Sequence, residues 1–188
     1  MLEQLGIKPS GVTGMETPDI NFKDIPTAIA SAFGEEANPE FERPTYIHLN
    51  LEDLKYFEVV ERQFERWGVT FANAIAINPS NPAYPTKSGK ILLLGAPENG
   101  SIEVIFSKPV SFVCGRVTSS RRSTLTAYDS SGVEIARQKI TEANLAGTNS
   151  QIPANALLGV RGPNIHRVAF YAFDGHLTLD DFGFIVAP

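Results

Sequence analysis

Ile165-His166-Arg167-Val168-Ala169-Phe170, followed across Asp174-Gly175 by Leu177-Thr178-Leu179-Asp180-Asp181-Phe182-Gly183-Phe184, is the stretch that decides the fold. Apolar residues alternate with polar ones at a period of two, which is the signature of strands with one buried face. The Asp-Gly pair between the runs suits a tight turn. Upstream, Leu157-Leu158-Gly159-Val160 reads the same way. The final run carries paired acids between hydrophobic residues, so carboxylates sit on the last strand near an edge, where they could ligate a cation.

Strand-like runs recur at regular spacing through most of the chain. They cover residues 46–51, 69–77, 90–94, 101–106, 110–118, 123–128, 133–140, 166–173 and 177–186. Turn chemistry separates them. Pro97-Glu98-Asn99-Gly100 contains Asn-Gly, and Asp129-Ser130-Ser131-Gly132 is a polar hairpin connection. The segment 78–89 holds three prolines, Pro79, Pro82 and Pro85, which keep it out of any ladder. Many short strands with almost no helix indicate an all-β fold, a jelly-roll β-sandwich. Residues 57–67 are the exception. Val60, Phe64 and Trp67 at i, i+4 and i+7 predict a helical turn with Trp67 in the core, ended by Gly68.

The first 44 residues read differently. Pro9, Pro18, Pro26, Pro39 and Pro44 punctuate them, and one short helix is predicted over 24–33. Asp24 is its N-cap, Pro26 falls in its first turn and Gly34 ends it. Ile25, Ile29 and Phe33 form one apolar stripe. The expected organisation is an N-terminal helical arm, 1–44, before a sandwich domain, 45–188. The stripe suits packing on the main domain or on another subunit, so the arm is a candidate device for forming a homo-oligomer.

Composition removes several function classes. At 188 residues with a formal net charge of −5, the chain is long enough for one sizeable core and lacks the basic excess of a general nucleic-acid binder. No stretch approaches the roughly 20 apolar residues that span a bilayer. Cys114, the single cysteine, excludes an intramolecular disulfide and sits in a strand-like run, as a buried structural thiol. The N-terminus shows no basic region leading into an apolar one. The expectation is therefore an extracellular protein if a signal peptide has been removed, and otherwise a cytoplasmic one. His48, His166 and His176 show no metal-ligand spacing, and nucleophile-elbow, phosphate-loop and dinucleotide motifs are lacking.

The order of several motifs resembles bacterial galactose-binding-like jelly rolls, including the domain common in secreted proteins with exosortase sorting tails. The residues that carry this are Leu49-Asn50-Leu51-Glu52-Asp53-Leu54, Gln63-Phe64-Glu65-Arg66-Trp67-Gly68-Val69-Thr70-Phe71 and Ile102-Glu103-Val104-Ile105-Phe106-Ser107-Lys108-Pro109-Val110. Leu125-Thr126-Ala127-Tyr128-Asp129-Ser130-Ser131-Gly132 and the closing run to Phe184 complete it, spanning residues 46–186. The resemblance implies a binding module more than a chemistry. It also implies a structural calcium between the first and last strands. The matching positions are Asn50 and Glu52 in the first, with Asp180 in the last; alternation turns Asp181 to the opposite face.

A sugar site needs an aromatic platform with polar partners, because pyranose faces are apolar and their rims carry hydroxyls. Tyr84, between Pro82 and Pro85, is the candidate platform. Arg121, Arg122, Asp129 and Asn149 are candidate hydrogen-bonding partners. The leading expectation is a non-catalytic carbohydrate-binding module, with an assembly protein built on the N-terminal arm as the alternative.

Overall fold

In the computed structural model the described residues are 45–96 and 100–186. They form nine strands: β1 Tyr46–His48, β2 Val69–Ala72, β3 Ala74–Ile77, β4 Leu92–Gly95, β5 Ser101–Ser119, β6 Ser123–Tyr128, β7 Glu134–Ile140, β8 Ala156–Ala172 and β9 Leu177–Val186. Every pairing is antiparallel. The order is β3-β4-β9-β5-β8-β6-β7, with β1 on β9 and β2 on β5. The protein is an all-β sandwich, as the strand spacing predicts. The arm helix over 24–33, the stripe Ile25, Ile29 and Phe33, and the boundary at 44/45 lie outside the described residues, as does most of the Pro97–Gly100 turn.

Two long strands make one hydrogen-bonded sheet into two layers. In β5, residues 101–105 pair with residues 167–171 of β8, while residues 110–117 pair with residues 156–165. The register shifts between Ile105 and Val110 and again before Phe112. Pro109 lies there and cannot donate to a ladder, so the runs expected as separate strands, 101–106 and 110–118, are the two arms of one bent strand. One layer holds β3, β4, β9 and the far half of β5. The other holds β2, the near half of β5, the end of β8, β6 and β7. At Asn73, between β2 and β3, φ is 59° and the chain passes from one layer to the other. Asparagine tolerates this left-handed geometry, and its Nδ2 donates to the Ser101 carbonyl at 2.8 Å.

Aromatic rings fill the space between layers. Phe182 of β9 meets Phe71 of β2 at 5.6 Å between centroids, Phe170 of β8 at 6.3 Å and Phe184 at 6.2 Å. These are edge-on and tilted arrangements, which the ring quadrupole favours. At Gly115 of β5 a side chain would run into Leu179 and lie 3.4 Å from the Phe170 ring. The missing Cβ is what makes room for the Leu179 side chain.

The helical turn predicted over 57–67 does not form. Phe57 and Val60 donate their N–H groups to the Ala76 and Ala74 carbonyls, and Val59 bridges Ile75. The hydrogen bonds of Phe57 and Val60 are spent alongside β3, so this end of the segment protects that strand's edge. Only residues Glu65–Trp67 wind into a 3-10 turn, closed by Gly68 at φ 75°. Val60 and Phe64 are buried as expected, but Trp67 is 47% exposed, with the Arg66 guanidinium 5.5 Å from its ring. Cys114 is buried; desolvation, only partly offset by the Tyr46 hydroxyl and the charge of Arg116, pushes its thiol up to about 12. It is a structural thiol.

Replacing Phe182 with alanine removes a ring that touches both layers. A loss of about 3–5 kcal/mol in urea unfolding is expected, with the m-value unchanged. A loss below about 1 kcal/mol would show that this contact does not hold the layers together.

Candidate functional site

The residues expected to ligate calcium are engaged in capping and in holding backbone amides. Asn50 caps the 3-10 turn Leu51–Asp53, its side-chain oxygen accepting from Glu52 N at 3.2 Å while its amide donates to Asp53 Oδ1 at 3.1 Å. Glu52 Oε1 accepts from Lys90 N and Ile91 N, each at 2.8 Å. Asp180, 3% exposed, accepts from Lys87 N at 2.6 Å and from Asp181 N at 2.7 Å. Together Glu52 and Asp180 clamp the end of the proline-rich segment onto the sandwich. Among the described residues no three or more His, Cys, Asp or Glu side chains converge as a metal-binding group.

Asp181, at φ 45°, sits in the β-bulge where β9 slips against β5. Its carboxylate takes the Ser88 hydroxyl at 2.5 Å and lies 3.6 Å from His48 Nε2 and 3.5 Å from Arg116 Nε. Burial acts to raise its pKa, yet hydrogen bonds from His48 and Ser88, with the charges of His48 and Arg116, hold it below the ordinary carboxylate value. Asp180 goes the other way. Burial raises it, the adjacent Asp181 charge adds to that, and together they outweigh the Lys87, Asp181 and Ser88 amides, which act to lower it. The neighbouring acids therefore differ in role, one an ion-pair partner and the other a buried amide acceptor.

The residues expected to bind sugar do not form one group. Tyr84 is half-buried in a segment pinned on both sides, since Ala83 O accepts from Ala146 N at 3.0 Å and Pro85 O from Asn155 Nδ2 at 2.9 Å. Asp129 Oδ1 accepts from Ser131 N at 2.8 Å and Val133 N at 2.9 Å, which makes it the organiser of the β6–β7 hairpin. The Arg121 side chain packs over Gly175. Asn149 is exposed in the segment between β7 and β8. Arg122 alone of the five lines a concavity on the outer surface of the sheet.

That concavity is an open trough of about 640 Å³ on the outer face of β5, β8, β6 and β7. Strand register lays out its floor in rows. Thr124 faces Lys139 on one side and Tyr171 on the other, Thr126 faces Arg137 and Ala169, and Tyr128 faces Arg167. Glu103 continues the middle row beyond Ala169. The same alternation turns Leu125, Ala127, Val168 and Phe170 inward to the core. Small side chains, Thr126 and Ala169, thus floor a channel between two aromatic rims. Tyr171 and Phe173 form one rim, with rings 6.2 Å apart and edge-on. Tyr128 forms the other, with the Arg167 guanidinium 4.0 Å above its ring. Arg167 and Tyr171 are four residues apart on one strand, which separates the rims by about 13 Å.

No protein-family model matches this chain, and no curated protein does. Solved structures match it at low identity and low structural similarity. A family 29 carbohydrate-binding module from Piromyces equi is 8% identical over 77% of this chain and 91% of that one, with a TM-score of 0.41. A variant of such a module complexed with mannohexaose is 8% identical over 77% and 93%, at 0.43. A DUF4465 family protein from Bacteroides caccae is 15% identical over 64% and 74%, at 0.36. Likeness at this level carries nothing about ligands, so the site is read from its own residues.

Two outcomes follow from the carboxylates. Asp181 has a folded-state pKa below its unfolded one, so its stabilisation is present above the unfolded value and is lost as pH falls through the folded value. Asp181→Asn is expected to cost about 1–3 kcal/mol at pH 7, with the gap from wild type closing under acid. A gap independent of pH would contradict the ion-pair role. Because Glu52 and Asp180 already accept N–H donors, chelation by EDTA is expected to move Tm by less than about 1 °C. A fall of several degrees, reversed by calcium, would establish the metal reading.

Proposed function

We propose that this protein is a non-catalytic glycan-binding module and that the trough on the outer face of β5, β8, β6 and β7 is its site. The observation that carries this is a small-residue floor held between aromatic rims by strand register. Sugar rings present apolar C–H faces that pack on aromatic rings, and hydroxyl edges that need polar partners. Tyr171, Phe173 and Tyr128 supply the first; Thr124, Thr126, Arg122 and Lys139 supply the second. The open, elongated shape suits a chain of sugars rather than a small enclosed ligand. Glu103 is the one carboxylate lining the trough, and it is paired with Arg167 at 3.3 Å. Glycoside hydrolysis uses two facing carboxylates, so this lining favours binding over cleavage.

Most of the site stands on strands, with Arg122 just before β6 and Phe173 just after β8. The strand residues among them are held by the ladder, so little backbone order has to be imposed there when ligand binds.

A glycan array followed by calorimetry tests the proposal. Tyr171→Ala is expected to weaken any glycan found by at least tenfold while leaving Tm nearly unchanged, because Tyr171 lies on the outer face. Tyr84→Ala serves as the contrast, and full loss of binding through Tyr84 with none through Tyr171 would overturn the assignment.

A further inference from the structure

We infer that the glycan taken by this trough is an acidic one, a polysaccharide bearing uronate carboxylates. The inference rests on the glycan-binding reading of the same site and adds the charge of its ligand. The chain as a whole is acidic, at −5. The trough is the reverse, with four cations, Arg122, Arg137, Lys139 and Arg167, against the single carboxylate of Glu103. A local inversion of sign inside an overall negative field marks what the surface is built to meet.

The four cations are not equivalent. Arg167 is held by Glu103 and by the Tyr128 ring, and Arg137 pairs with Glu134 at 2.5 Å. Among the described residues no carboxylate pairs with Arg122 or Lys139. Those two share one end of the trough. Lys139 stands across Thr124 from Tyr171, and Arg122 lies 5.1 Å over the Phe173 ring that packs on Tyr171. Two strand spacings separate the Lys139 and Tyr171 backbones, about 10 Å, with Thr124 between them. A sugar stacked on Tyr171 therefore brings its substituents to both cations.

Desolvation decides between neutral and acidic ligands. A neutral chain covering Arg122 and Lys139 strips water from two charges and returns no countercharge. A carboxylate offsets that cost and receives charge-assisted hydrogen bonds, and the planar guanidinium fork matches its two oxygens. The ring under Arg122 makes no hydrogen bond with it, so its N–H donors remain for the ligand.

The experiment is calorimetry of the full chain with polygalacturonate oligomers, the same oligomers fully methyl-esterified, and dextran sulfate, each at low and high salt. The acid is expected to bind at least tenfold more tightly than the ester at low salt, with the advantage shrinking as salt screens the charges. Arg122→Gln combined with Lys139→Gln is expected to remove that advantage. Equal binding of acid and ester would overturn the acidic ligand while leaving the glycan site standing. Tighter binding of dextran sulfate with the same dependence on Arg122 and Lys139 would overturn the carboxylate. No binding of any glycan, on the array or here, would overturn the site itself.

Discussion

The bend in β5 is the constraint on which the rest of the structure depends. A strand of 19 residues pairs with β8 along most of its length, and the shift around Pro109 lets the two strands fold over without breaking the sheet. Both layers therefore hang from one ladder, and Phe182, Phe170 and Phe71 meet between them. Because the period of a strand is two, fixing Phe170 and Val168 inward fixes Tyr171, Ala169 and Arg167 outward. The trough is the solvent side of the same register that makes the core. A slip of one residue would bury Arg167 and expose Phe170, so the site is as strongly specified as the fold.

A second constraint acts at the other layer. Residues 78–90 carry no strand and gain order from side chains of the sandwich: Glu52 and Asp180 through backbone amides, Asp181 through Ser88, and Asn155 through Pro85. Burying a carboxylate is costly unless its oxygens are satisfied, and here N–H groups satisfy them. These acids carry both readings, metal ligand and amide acceptor, for a physical reason. Cation ligation and amide capping call on the same oxygens at the same sheet edge.

The strand pattern was legible because alternation reports burial directly. Residues 123–128 and 177–186 are strands as read, and Val60, Phe64 and Cys114 are buried as read. Trp67 was misplaced because a 3.6-residue stripe in a short segment says nothing about which neighbour takes its backbone hydrogen bonds: β3 takes those of Phe57 and Val60, and Trp67 falls in a separate 3-10 turn. The site was the least legible part. Tyr84 drew attention through its flanking prolines, yet a proline-rich segment can be anchored as firmly as a strand. The trough is assembled from Arg122, Thr124, Thr126, Tyr128, Lys139, Ala169 and Tyr171, which only the β7-β6-β8 pairing brings side by side. A usable hint was present in the aromatic residues Tyr128, Tyr171 and Phe173 at polar-facing positions of strand runs, where solvent exposure of a ring calls for a ligand more than for a core.

Mapping by backbone amide chemical shifts during titration with an acidic oligosaccharide tests the central claim most directly. Perturbations concentrated at residues 101–103, 122–128, 137–141 and 167–173 are expected if the strand face is the binding surface. Perturbations concentrated at residues 81–90 and 145–151, with the strand face silent, would contradict it.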